Sequence, residues 1–134
     1  MKRFICLMMI LVLALSTGCS MSKIENIRVA ELDYTVVKEE DIPEELAATI
    51  EQEKVDPFEM SYESDGYLYV VRGYGMQDTG GYSIRVSDLY LGQNAIYVQT
   101  DLEGPRTAAD KLPGTSYPYI VLKIEGQTEP VIFQ

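Results

Sequence analysis

From Phe58 onward the chain alternates short apolar runs with turn-forming residues, and everything in this region reads as strands and turns. Phe58 to Tyr62 leads into Asp65-Gly66, a pair suited to a tight hairpin turn. Tyr67 to Val71 follows, rich in the aromatic and β-branched residues that fit a pleated surface. Tyr82, Ile84 and Val86 share one strand face, with Ser83 and Arg85 on the other. Gly92-Gln93-Asn94 is a further turn before a strand over Ala95 to Thr100. Gly104 to Gly114 is the longest irregular segment, and Tyr119 to Ile124 and Val131 to Phe133 are the last strands. This spacing predicts a mainly β fold, a small antiparallel sandwich or barrel with one short N-terminal helix.

Ahead of this region, Glu31 to Val37 places Leu32, Tyr34 and Val36 on one side, as a strand would. The helix follows. Asp41 is a good N-cap, Pro43 lies in the first turn, and Glu44 and Glu45 sit at the positive end of the helix dipole. Leu46, Ala47 and Ile50 fall at helical spacing, and the helix fades near Lys54 because Pro57 rules out continuation.

The 134 residues are enough for one domain, and the N-terminus is not part of it. Lys2 and Arg3 precede an unbroken apolar run, Phe4 to Leu15, the architecture of a signal peptide and too short to span a bilayer comfortably. Small residues then lead to Cys19 in "STGC", which resembles a bacterial lipoprotein cleavage box, with Ser16 where Leu is usual. The resemblance implies a signal peptide over residues 1–18, acylation of Cys19, a lipid-anchored tether over 19–30 and a β domain over 31–134. The expected location is the extracytoplasmic face of the cell membrane.

Cleavage there removes Cys6 and two of the eleven basic residues but none of the 21 acidic ones, so the net charge moves from −10 to −12. Nucleic acid needs a basic footprint and is excluded as a partner. Anionic lipid headgroups would repel such a surface, so the lipid itself must hold the membrane.

No histidine occurs, and acylation would leave no free thiol, which removes the Ser-His-Asp, Cys-His and zinc chemistries. Glu39-Glu40-Asp41 and Glu44-Glu45 lack calcium-loop spacing and read as a solvated helix start. Ser116 or Thr79 with Lys111 as base has no support in spacing. The expectation is a protein that is no enzyme and uses no metal or cofactor.

Ten tyrosines against three phenylalanines and no tryptophan is the more telling choice, because tyrosine suits surfaces that meet a partner. Most of them are accounted for as strand residues; Tyr74 and Tyr82 border the loop "YGMQDTGGY". Tyr74, Thr79, Gly80, Gly81 and Tyr82 are therefore the candidate partner-binding residues. The competing reading is that Gly80 and Gly81 only supply positive φ in a turn.

The box "TGGYSI", the later "SYPYIVLKI" and the terminal "PVIF" resemble the C-terminal domain of the protease complex subunit PrcB family, over about Leu32 to Phe133. That resemblance implies a lipid-anchored, non-catalytic assembly or stabilising subunit, in the named member part of a surface protease complex. Thr79, Gly81 and Tyr82 also resemble the inhibitory loop of chagasin-like protease inhibitors, though Ile84 stands where that pattern has Trp and the Asn-Pro is missing. Two alternatives therefore stand beside the binding subunit. One is a chagasin-like inhibitor; the other is a structural or stress-related envelope lipoprotein without a specific ligand.

Overall fold

A computed structural model describes residues 27–134. Cys19 and the signal peptide lie outside the described residues. Among the described residues are eight strands, β1 (Arg28–Glu31), β2 (Thr35–Val36), β3 (Pro57–Ser64), β4 (Tyr67–Tyr74), β5 (Ser83–Gly92), β6 (Ile96–Glu103), β7 (Tyr119–Glu125) and β8 (Val131–Phe133), and one α-helix, α1 (Glu44–Glu53). The strands form two four-stranded sheets, β1-β5-β6-β8 (sheet A) and β2-β7-β4-β3 (sheet B). The architecture is thus a sandwich, and neither sheet closes into a barrel.

Strand β4 is central because it is buried on both faces. Leu68 and Val70 point between the sheets and meet Leu89, Ile96, Val98, Ile120, Leu122 and Ile124. Tyr69 and Val71 point the other way, with Val121, and are covered by Ile42, Leu46 and Ile50 of the helical segment. Leu46 and Ile50 are one helical turn apart and almost wholly buried. Each such burial contributes about 1.5–3 kcal/mol, more than a terminal cap supplies. This matters because α1 has no side-chain cap: Pro43, with φ −52°, holds the N-cap position in place of the expected Asp41. Asp41 instead closes a 3-10 turn over Glu39–Asp41, its N–H donating to the Lys38 carbonyl at 2.9 Å. Packing, not capping, holds the helix.

Three local features follow directly from residue type. Asp65 (φ 52°) and Gly66 (φ 80°) both adopt positive φ, the requirement of a type I′ hairpin between β3 and β4. Strand β5 contains a bulge between Val86 and Asp88, where Ser87 is skipped in the register with β6. That extra residue shifts parity, so Ile84 and Val86 before it and Leu89 and Leu91 after it all face the core. The stretch read as one strand from Glu31 to Val37 is broken at Leu32–Tyr34, where the chain leaves sheet A for sheet B. Strand β1 begins at Arg28, inside the stretch read as tether.

Pairing is antiparallel except between β6 and β8. Strand β7 delivers the chain to the end of the sandwich where β6 also starts, so a short connection can only lay β8 parallel to β6.

Candidate functional site

The chain crosses between the sheets twice at one end of the sandwich: from β4 to β5 through residues 75–82, and from β6 to β7 through residues 104–118. The candidate residues lie in or beside the first crossing. The second is the long irregular segment, and the two are bound together.

Gln77 and Ser116 exchange backbone hydrogen bonds of 2.8 and 3.0 Å, and Gly80 and Leu112 exchange bonds of 2.8 and 3.3 Å. Ser116 Oγ donates to the Thr79 carbonyl at 2.7 Å. Met76 N–H reaches the Val55 carbonyl at 3.0 Å, which ties the first loop to the end of α1 as well. Gly80 allows this approach: a Cβ there would lie 2.9 Å from Cβ of Leu112. Gly81 has φ 92°, and a Cβ on it would lie 2.2 Å from the Asp110 carbonyl oxygen.

The side chains around this double loop divide into two groups. Tyr74 is half-buried, and its hydroxyl meets Thr100 Oγ1 at 2.5 Å across the two sheets. Arg72, paired with Glu59, lies 5.0 Å from the Tyr74 ring centroid. Tyr82 is also half-buried, with its ring edge against Gly104. Both tyrosines thus brace the loop base. The outward group is apolar: Val55 (53 % exposed), Met76 (53 %) and Leu112 (59 %). Beside them Lys54 Nζ sits 5.0 Å from the Tyr117 ring centroid, its ammonium stabilised first by a hydrogen bond to Glu51.

Sequence reasoning missed this apolar trio. The signal was present in Leu112, a large apolar residue between Lys111 and Pro113 in a segment without strand alternation. Ser116, weighed as a nucleophile, has its hydroxyl on a backbone carbonyl, and no hydrogen bond joins Lys111 to it or to Thr79 among the described residues. No group of three or more His, Cys, Asp or Glu that could hold a metal occurs among the described residues. A groove of about 540 Å³ lies at the opposite end, where Tyr34, Tyr67, Lys123 and Glu125 line it.

Fold and loops together define a small β-sandwich whose distinctive element is a paired crossover at one end. Residues 68–125 match the family model described as PrcB C-terminal, which spans β4 to β7 and contains both crossovers. The PrcB resemblance read from "TGGYSI" and "SYPYIVLKI" is therefore borne out over this segment, narrower than the Leu32–Phe133 range first expected. The chagasin likeness of the loop is not confirmed. No curated protein and no solved structure matches the chain.

Proposed function

We propose that the protein is a lipid-anchored, non-catalytic subunit on the extracytoplasmic face of the cell membrane. It binds or stabilises a protein partner, with a surface protease complex as the first candidate. The observation that supports this reading is the paired crossover: a braced loop pair, inside the family segment, that presents Met76 and Leu112 to solvent beside the exposed Val55 at the end of α1. Preorganised apolar side chains are what a protein-binding surface needs, since little conformational freedom is lost on contact.

The placement of the loop favours the same reading. Strand β1 starts beside Gly92, so the chain enters the domain at the end opposite the crossovers. An anchor on Cys19 would then direct the loop pair away from the membrane.

The test is affinity capture from solubilised membranes, followed by identification of what co-purifies. A protease subunit should accompany the wild-type protein and be lost with Leu112→Asp, which alters an exposed side chain and leaves folding intact. Equal recovery with Leu112→Asp and Met76→Asp would remove the loop pair from the account. Recovery of no protease would leave a structural envelope role as the better reading.

A further inference from the structure

We propose that the free edge of β3 is a docking site for an extended, basic segment of a partner protein, which adds to sheet B as an outer strand. The proposal is independent of the loop pair and starts from register. Tyr74 N–H donates to the Pro118 carbonyl, and β4 pairs with β7 without interruption from Tyr67 to Gly73. Backbone groups alternate sides along a strand, so even-numbered residues of β4 face β7 and odd-numbered ones face β3. The β3 residues opposite those odd positions are Phe58, Met60, Tyr62 and Ser64. Glu59, Ser61 and Glu63 therefore aim their N–H and C=O groups outward, and no protein hydrogen bond among the described residues satisfies them.

Open edges of this kind are normally blunted by shortness or irregularity. The other three edges follow that rule: β2 has two residues, β8 has three, and β1 has four with a register shift. Strand β3 has eight residues without a shift, and its guards are Pro57 at its first position and the charges of Glu59 and Glu63, which an acidic strand would meet as repulsion and a basic one would not. Among the described residues it is the long, regular edge, the kind to which a strand can add.

Charge selects the occupant. The side chains of Glu59, Ser61 and Glu63 are exposed on the face that is core further into the sheet, because sheet A does not reach over β3. Glu59 pairs with Arg72, whereas Glu63 has no ion-pair partner among the described residues. On the other face Glu45 of α1 accepts the Tyr62 hydroxyl at 3.0 Å. A second copy pairing antiparallel about Ser61 would set Glu59 against Glu63 at both ends, and directly opposed like charges destabilise a strand pair. A segment with lysine or arginine at alternate positions meets the same carboxylates favourably.

Hydrogen–deuterium exchange on the full chain tests this, with a synthetic alternating Lys-Thr peptide long enough to span β3 and its Glu-Thr counterpart as probes. The basic peptide should lower uptake across Glu59–Glu63, and the acidic one should not. Glu63→Lys, a surface change, should lose that protection and gain it with the acidic peptide. Absent protection, equal protection by both peptides, or protection confined to other segments would overturn the proposal. Protection that grows with protein concentration alone would assign the edge to a second copy instead.

Discussion

Gly81 answers to two separate demands, and they can be measured apart. Its φ of 92° is a conformation that costs a side-chain-bearing residue about 1–2 kcal/mol, and its missing Cβ leaves room for the Asp110 carbonyl. Gly114 has nearly the same φ, 94°, with nothing within 4 Å of where a Cβ would lie. Gly114→Ala should lower stability by the conformational cost alone. Gly81→Ala should lower it by roughly 1–3 kcal/mol more, the usual cost of forcing atoms into a filled site. Urea denaturation of the two variants gives the difference, and equal midpoints would show that the close approach to Asp110 carries no energy. A second residue-scale test concerns Asp88. Arg28 grips both of its carboxylate oxygens, at 2.9 and 2.6 Å, while lying 4.0 Å from the Tyr90 ring centroid. The hydrogen bond to Arg28 is the main cause that holds the Asp88 carboxyl below its ordinary range. A group whose pKa is depressed by folding contributes stability above its unfolded value, about 3.9, and loses it as pH falls through the folded one. Asp88→Asn should therefore lower the unfolding midpoint at neutral pH, and the gap from wild type should close in acid. A gap unchanged at about pH 2 would show that the ion pair is not its source.

Among the elements, β5 shows how one residue sets a face. With Ser87 removed, Ile84 and Val86 would point away from the core that Leu89 and Leu91 fill, because strand side chains alternate with period two. Deleting Ser87 should abolish cooperative unfolding, whereas Ser87→Ala, which keeps the count and loses one exposed hydrogen bond to Gln99, should change stability little. A cooperative transition in the deletion variant would mean that the register is set elsewhere. The same contrast explains what the sequence disclosed. Asp65-Gly66 was legible because a type I′ turn is decided by two adjacent residues. The buried face of α1 was legible because Leu46 and Ile50 repeat at helical spacing. The parity break in β5 was also written there, as a change from even to odd apolar positions around Ser87, and went unread. The pairing of Thr79-Gly80 with Leu112 and Ser116 was not legible: it joins segments far apart in the chain through backbone groups that every residue carries. For that reason the sequence marks Gly80 and Gly81 by residue type, while nothing in residues 104–114 marks them as their partner.

At the scale of the whole molecule, turn and contact readings of the glycine loop become compatible, because the glycines hold together the two crossings between sheets and the apolar side chains project from the result. Strand β5, with ten residues, separates this end from the end where the chain enters, a span of roughly 30 Å. If Cys19 carries the lipid, nine residues lead from it to Arg28, a length of chain that reaches about 30 Å at most, no more than the domain itself. The acidic surface adds repulsion from anionic headgroups, so the domain should stand off the bilayer on its entry end. Thr115 and Thr128 are both exposed and mark the two ends, Thr115 in the second crossover and Thr128 in the connection between β7 and β8. Energy transfer from a dye on Thr128→Cys to a membrane-embedded acceptor should exceed that from Thr115→Cys in vesicles carrying the acylated protein. Added salt should narrow the difference, since screening weakens the repulsion that holds the domain upright. Equal transfer from both positions at low salt would mean that the domain lies flat or tumbles, and the crossover loops would then have no privileged access to a partner beyond the membrane surface.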